Sequence, residues 1–262
     1  MKNKLIFFLD FLLSKIGRSV MHLELIIVAL NLIFIKKKSA KIILISGCSK
    51  SGTSLIHSIL STHKNIISPL NETDFTSLKF HLSKENKEFL KFIHTKKIND
   101  NQFFLIKRPN SVFYLKLLKL KFPNIQTIMM IRDGRDVVIS AKLFFKWPTS
   151  FATNTWLQNS RAILKLSSHK LIIIKYEQLV FEPVITIKSV SSFLHLNPPF
   201  KESEILNYHK KVGENKIAEK NAVKPIFNTS VNSWKVKMNN SERIEFEQKA
   251  KKEMLQFKYL DK

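Results

Sequence analysis

Short runs of apolar residues alternate with longer stretches of mixed polarity along most of this chain. Four of the runs predict buried strands, which lie at residues 41–46, 103–107, 126–131 and 171–175. The stretches that follow them predict helices, at residues 53–63, 110–120, 133–146 and 184–196. Continuous apolar strands that alternate with helices are typical of a parallel sheet covered on both faces, so we predict an α/β fold of that kind. A last helix is predicted over 240–257, with its cap at Asn240 or Ser241.

Two further apolar runs precede the first predicted strand, at residues 5–13 and 25–35, and three lysines follow at 36–38. Neither run reaches the roughly 18–20 uninterrupted apolar residues that cross a membrane. We therefore predict two parts: residues 1–38, a helix that lies on a membrane or docks on the domain, and one domain over 39–262. A membrane anchor within residues 5–35 and ordinary core packing of this segment stay open as alternatives.

The composition excludes several classes of protein. Of the 262 residues, 44% are hydrophobic, which is enough to bury a sizeable core and excludes intrinsic disorder. Cys48 is the single cysteine, so a disulfide scaffold and a four-cysteine zinc site are both excluded. The net charge of +24 favours anionic ligands or surfaces. Only six of the 44 basic residues are arginine, the residue that reads base edges, so we predict no specific nucleic-acid partner.

Glycine is scarce in this chain, and two of its five glycines bound a loop after the first predicted strand. The loop runs from Gly47 to Gly52 and continues through Thr53 and Ser54 into a predicted helix. A strand, a glycine loop and a helix N-terminus present backbone N–H groups to an anion, so this segment predicts a phosphate site. In a nucleoside triphosphate loop lysine directly follows the second glycine, whereas here Thr53 does and the lysine is Lys50.

A second pattern that predicts phosphate binding lies in residues 128–140, which read IMMIRDGRDVVIS. Arg132 stands at the end of a predicted strand, and Ser140 stands in the helix that follows. Their side chains can converge on one phosphate, because eight residues of strand end and helix start bring both to the same edge of the sheet. We predict that Gly134 allows the tight turn between the strand and the helix.

The two patterns together resemble those of the sulfotransferases that use 3′-phosphoadenosine 5′-phosphosulfate (PAPS) as the donor of a sulfuryl group. Residues 47–55, GCSKSGTSL, resemble the family's 5′-phosphosulfate loop, with Ser49-Lys50 in place of Pro-Arg. The resemblance continues in YEQLV at 176–180 and in residues 223–238 around Trp234. When RDGR at 132–135 and VKP at 223–225 are included, the motifs are most similar to those of the protein-tyrosine sulfotransferases.

The resemblance implies a sulfotransferase-like fold, PAPS as cofactor and no metal ion. The cofactor contacts that it implies are Lys50, Ser51, Gly52, Thr53, Ser54, Arg132, Ser140 and Tyr176. Within this set, Arg132 and Ser140 correspond to the residues that hold the 3′-phosphate in the family.

The resemblance also implies the catalytic roles. Sulfuryl transfer needs stabilisation of the leaving phosphate oxygen and a base for the acceptor hydroxyl. Lys50 suits the first role and Lys107 shares it, while Glu72 resembles the acidic residue after the family's first helix and is the predicted base. The alternatives for the base are Asp74, His63 and His57.

The predicted acceptor is a hydroxyl group, either of a tyrosine in a peptide or of a carbohydrate. The charge and the apolar segment before residue 39 add a membrane surface as a candidate partner, and we expect a cytoplasmic enzyme that rests on or is anchored to that surface through residues 5–35. Two alternatives stay open: a phosphate-loop kinase or NTPase, and a non-catalytic protein on the same fold that binds anionic surfaces. The sequence makes no prediction of the oligomeric state.

Overall fold

The strands form one parallel sheet in the computed structural model, which describes residues 23, 26–32, 41–68, 75, 86–94, 102–166, 170–214 and 224–261. In chain order the strands are β1 (Ile42–Gly47), β2 (Ile66–Ile67), β3 (Phe103–Lys107), β4 (Gln126–Ile131) and β5 (Leu171–Lys175). Their order across the sheet is β2-β3-β1-β4-β5, and all neighbours run parallel. The predicted α/β class is confirmed.

The helices occupy the segments between and after the strands. The first six are α1 (Thr53–Leu60), α2 (Lys87–His94), α3 (Leu115–Lys121), α4 (Gly134–Phe145), α5 (Thr149–Leu164) and α6 (Tyr176–Phe181). The remaining ones are α7 (Pro183–Phe193), α8 (Glu202–Leu206), α9 (Tyr208–Glu214), α10 (Trp234–Lys237) and α11 (Asn240–Gln256). A 3₁₀ turn at Ser111–Tyr114 precedes α3.

The four strands predicted from apolar runs are present within one residue of their predicted ends. The helix predicted over 110–120 differs, since it begins as the 3₁₀ turn and becomes α-helical only at Leu115. The last helix begins at Asn240, but its cap is Asn239, whose side chain accepts a hydrogen bond from the Glu242 N–H at 2.8 Å. The expected caps at Asn240 or Ser241 were therefore wrong by one residue or two.

Alternate residues of the central strands feed two hydrophobic cores, one on each face of the sheet. Ile42 and Leu44 of β1 belong to one core, and Ile43 and Ile45 belong to the other. All four side chains are fully buried, because helices cover both faces. A third core, formed by α4, α5 and α11, lies beside the carboxyl end of β4 and fixes the start of α4 next to the phosphate loop.

Residues 26–32 are helical and pack on the first of these cores. Val28 and Leu32 are buried in the same cluster as Ile42 and Leu44, and the Asn31 amide donates to the Phe75 carbonyl at 2.9 Å. For these seven residues, docking against the domain is what the contacts support. Residues 1–22, 24–25 and 33–40 lie outside the described part, so the division at 38/39 stays a prediction. Within the described residues, no helix combines the length and apolar character needed to cross a bilayer.

This packing predicts a contrast between two leucines of the same helix. Leu32 is 2% exposed and Leu30 is 50% exposed. Replacement of Leu32 by alanine is expected to lower the free energy of unfolding by about 2–5 kcal/mol, because it removes buried methyl groups and leaves a cavity. Leu30→Ala is the matched control, with an expected change below about 1 kcal/mol. Urea unfolding of the full chain measures both, and equal losses would show that the helix does not dock as described.

Candidate functional site

The loop after β1 turns sharply at two left-handed residues and leads directly into α1. Lys50 has a φ of 69° and Gly52 has a φ of 91°. A Cβ at Gly52 would lie 2.5 Å from the Tyr176 ring, so only glycine fits between the loop and that ring. Gly52 is also the N-cap of α1 and supplies no side-chain cap, which leaves the first N–H groups of the helix directed at the loop. The loop therefore has the geometry of an anion site.

Arg132 follows β4, and its side chain contacts both the phosphate loop and the C-terminal region. It is 5% exposed; Nη1 donates to the Lys50 carbonyl at 3.1 Å and Nη2 donates to the Ser230 carbonyl at 2.6 Å. Its guanidinium lies 4.5 Å from the centre of the Tyr176 ring. Among the described residues, the buried Nε has no hydrogen-bond partner. A buried guanidinium with an unused donor beside a cavity is suited to an anion.

Gly134 does not act as predicted. It is the first residue of α4, and a side chain is excluded there for steric reasons. A Cβ at this position would lie 2.4 Å from the Phe246 ring and 2.7 Å from the Trp156 ring. The turn into α4 is instead held by Asp133, whose side chain accepts from the Arg135 N–H at 2.9 Å. Glycine therefore permits close packing of α4 against α5 and α11, and thereby sets where Arg132 and Ser140 lie.

These elements enclose a cavity of about 500 Å³ at the carboxyl ends of β1, β3 and β4. The predicted site residues on its wall are Lys50, Gly52, Thr53, Ser54, Arg132, Ser140 and Tyr176. They come from three separate segments of the chain, residues 50–54, 132–140 and 176, and the fold brings them to one place. Open parallel sheets bind ligands at this edge.

Three of the predicted site residues are not on the described cavity wall. Ser51 does not line the cavity; it is 1% exposed and its N–H donates to the Cys48 carbonyl within the loop at 3.2 Å. Lys107 lies behind the wall at the end of β3, where its ammonium donates to the Ser54 hydroxyl at 3.1 Å. Glu72, and with it the alternative base Asp74, lies outside the described residues.

The two alternative histidines lie off the cavity wall as it is described. His57 lies half-buried in α1 near Lys107, and both its desolvation and that positive charge lower its pKa to about 3. A ring with so low a pKa accepts a proton poorly at neutral pH. His63 contacts the Pro198 carbonyl through Nε2 at 2.9 Å and packs on Phe200, which is a structural role.

Several residues of the cavity wall were not among the predicted site residues. Arg108 and Asn110 follow β3, and Phe144 and Phe145 end α4. The Lys50 ammonium lies 3.4 Å from the centre of the Phe144 ring, so this ring faces the predicted catalytic cation. The Arg-Pro-Asn sequence directly after a predicted strand was a usable signal for Arg108 and Asn110, whereas the contact of Phe144 with Lys50 has no local signal.

A further part of the wall comes from residues 225–234, which we call the strap. Pro225, Ile226, Phe227 and Ser230 of the strap line the cavity. The Tyr176 hydroxyl and the Ser230 hydroxyl lie 2.7 Å apart. The family resemblance included residues 223–238 around Trp234, but it did not identify Ser230 as the residue that contacts both Arg132 and Tyr176.

The charged side chains on the described cavity wall are all positive. They are Lys50, Arg108 and Arg132. Within the same described part of the chain, no group of three or more His, Cys, Asp or Glu is placed to hold a metal ion. A cavity lined by cations, hydroxyls and loop N–H groups is suited to a ligand with two or more anionic groups.

Comparison with known proteins gives a family match and a set of similar folds. Residues 81–201 match the model described as the sulfotransferase family. A curated relative from Aquifex aeolicus (strain VF5), described as an uncharacterized protein, is 26% identical over 242 residues of the alignment, and the match covers 75% of this chain and 31% of the relative. The chain thus spans about a third of the length of that relative.

Solved structures with this fold include two similar examples. The sulfotransferase domain from the Synechococcus PCC 7002 olefin synthase has a TM-score of 0.62 and 15% identity, over 82% of this chain and 96% of that one. The mouse sulfotransferase SULT7A1 complexed with PAP has a TM-score of 0.62 and 14% identity, over 87% of this chain and 89% of that one. At such identities the likeness shows a common fold.

Proposed function

We propose that this chain is a sulfotransferase, which transfers a sulfuryl group from PAPS to an acceptor hydroxyl. One observation carries the proposal: the phosphate loop and Arg132 meet across a single cationic cavity. PAPS carries a 5′-phosphosulfate and a 3′-phosphate, so it presents anionic groups to two separate places. The mouse relative of this fold was solved with PAP, which supports the same class of nucleotide here.

The loop side of the cavity suits the 5′-phosphosulfate. Thr53 and Ser54 begin α1, where hydroxyls and N–H groups point to an anion, and Lys50 adds a charge from within the loop. Thr53 occupies the place that lysine has in triphosphate loops, and this difference disfavours a kinase. Lys107 supports Ser54 from behind and adds positive charge below the loop.

The opposite side suits the 3′-phosphate and the nucleoside. Arg132 and Ser140 face the cavity from the end of β4 and from α4. Arg132 is held in place by two backbone carbonyls and the Tyr176 ring, and its buried Nε has no hydrogen-bond partner among the described residues. A donor already fixed in direction loses little entropy when it binds a phosphate.

In the proposed reaction the acceptor oxygen attacks sulfur as the bond from sulfur to the 5′-phosphate oxygen breaks. Lys50, with Lys107, stabilises the negative charge that develops on that leaving oxygen. Glu72 takes the proton of the acceptor hydroxyl. The transferred group carries less charge than a γ-phosphoryl group, so the arrangement does not call for a magnesium ion.

For the acceptor we propose a tyrosine hydroxyl of a peptide, with a carbohydrate hydroxyl as the alternative. The similarity of RDGR, YEQLV and VKP to the tyrosine enzymes supports the peptide. The exposed Phe144 ring beside Lys50 supports an acceptor that presents a flat apolar surface next to its hydroxyl. We further propose a cytoplasmic location at a membrane surface, a partner that the charge of +24 favours.

Thermal unfolding with different nucleotides tests the proposal. We expect 3′-phosphoadenosine 5′-phosphate (PAP) to stabilise the protein by roughly 2.7 kcal/mol at 100 times its dissociation constant. ATP with magnesium should stabilise it far less. In Arg132→Ala, PAP should lose most of its effect, while the weaker effect of adenosine 5′-phosphate, which has no 3′-phosphate, should persist. A larger effect of ATP with magnesium would favour a kinase, and no effect of either nucleotide would refute both enzyme functions.

A further inference from the structure

Asp136 lies in the first turn of α4 and is 0% exposed. Its Oδ2 accepts from the Asn232 N–H at 2.8 Å, and its Oδ1 accepts from the Ser233 hydroxyl and the Trp234 N–H, both at 2.9 Å. One carboxylate therefore satisfies three donors in three consecutive residues. A neutral side chain of this size offers fewer acceptor sites, so the site specifically suits an anion.

The same end of the strap is held by a second residue of this motif. The Arg135 guanidinium lies 3.8 Å from the centre of the Trp234 ring. Arg135 is in turn fixed by Asp133 and Glu247, each through a charged hydrogen bond of 2.7 Å. Asp136 and Arg135 thus attach the end of the strap to α4, an element that also carries Ser140 of the cavity wall.

The other attachment of the strap is at Ser230, and it is made by groups of the proposed cofactor site. Arg132 donates to the Ser230 carbonyl, and Tyr176 meets the Ser230 hydroxyl. Asp136 lies 3.9 Å from Arg132 Nη2, so it also faces the guanidinium that makes this attachment. If residues 232–234 were released from Asp136, Ser230 would no longer be held in place. Arg132, which donates to the Ser230 carbonyl, would then lose a contact that fixes its orientation.

We propose that Asp136 is a positioning residue for the donor nucleotide. It does not line the cavity; it acts by holding the strap against the cavity and by keeping Arg132 directed at the 3′-phosphate. The inference rests on the proposed function for the identity of the nucleotide, but the attachment of the strap itself does not. In the RDGRD sequence, Arg132 is thus the binding group, and Arg135 and Asp136 fix the segment that covers it.

The test compares Asp136→Asn with Glu253→Gln. Asparagine keeps the size of Asp136 but removes its charge and turns one acceptor into a donor that faces the Asn232 N–H. Glu253 is a matched control, because it is 3% exposed and paired with Arg161 in α11 and α5, away from the cavity wall. Hydrogen–deuterium exchange of residues 224–236 is measured in the protein without ligand, and the affinity for PAP is measured by calorimetry.

We expect the strap amides to exchange faster in Asp136→Asn but not in Glu253→Gln. The affinity for PAP should fall about 10- to 100-fold in Asp136→Asn, as expected for lost hydrogen bonds to a charged group. In turnover assays the KM for PAPS should rise while kcat at saturating PAPS changes much less. Ser233→Ala, which removes one of the three donors, should have a smaller effect in the same direction.

Two results would overturn the proposal. One is unchanged exchange of the strap in Asp136→Asn, and the other is an equal loss of PAP affinity in Glu253→Gln, which would indicate general destabilisation. If the unaltered protein fails to bind PAP, the proposed function is wrong; the exchange experiment still decides whether Asp136 holds the strap.

Discussion

Replacement of Lys50 by methionine is expected to lower kcat by about 10²–10³-fold, the usual loss when a group that stabilises transition-state charge is removed. The Lys50 ammonium lies over the Phe144 ring on the cavity wall, within the loop that is proposed to bind the 5′-phosphosulfate. Methionine keeps an unbranched apolar chain against that ring and removes the charge together with the N–H donors of the ammonium. Because the charge also attracts the bound donor, PAP affinity should fall as well, though by less than kcat.

A control for Lys50 is available on a distant helix. Lys188 is an exposed lysine of α7, and Lys188→Met changes the net charge by the same amount. Its kcat and PAP affinity should match those of the unaltered protein. The assay uses sulfate transfer to a peptide tyrosine or to a simple phenol as a surrogate. An unchanged kcat in Lys50→Met would show that Lys50 does not stabilise the leaving group, and Lys107 or Arg108 would then be assigned this role.

Replacement of Glu72 by glutamine should lower turnover by roughly 10²–10⁴-fold, because the amide keeps the size of the side chain but cannot take a proton. PAP affinity should persist, in contrast to Lys50→Met. Glu72 lies outside the described residues, but the chain before it supports its assignment. β2 runs parallel to β3, the neighbour of β1, and ends at Ile67, so the chain leaves β2 at the edge where the phosphate loop begins.

Asp74→Asn is the matched variant for this test, since Asp74 is the alternative base two residues further along. Full turnover in Glu72→Gln together with a loss in Asp74→Asn would show that the wrong carboxylate was assigned. Full turnover in both would mean that neither is the base. The low pKa of His57 and the structural contacts of His63 make these histidines unsuitable replacements.

Much of the fold and of the candidate site could be predicted because the information lies in consecutive residues. Apolar runs such as 126–131 predict strands since each residue of a covered strand is buried. The phosphate loop is a single segment in which Gly52, Thr53 and Ser54 follow a strand and begin a helix. Arg132 and Ser140 are separated by a strand end and two helical turns, so their convergence follows from local geometry.

The sequence was less informative where polar and apolar residues alternate without a clear period. Helix α5 (Thr149–Leu164) was not predicted, because threonine, asparagine and serine interrupt its apolar face. The structure shows why this helix is nevertheless stable: Trp156 is 2% exposed in the third core, and its indole N–H donates to the Arg132 carbonyl at 3.1 Å. Tertiary packing overrides the weak local preference.

The sequence by itself thus predicted the α/β class, the loop after β1, and the arginine and serine that line the same cavity. Only the tertiary structure decided what surrounds them. Phe144 lies against Lys50, 94 positions earlier, and Asp136 holds residues 96–98 positions later. Such contacts arise because the order of the strands in the sheet brings distant segments to one edge. No local sequence pattern predicts that the carboxylate of Asp136 accepts hydrogen bonds from three donors in residues 232–234.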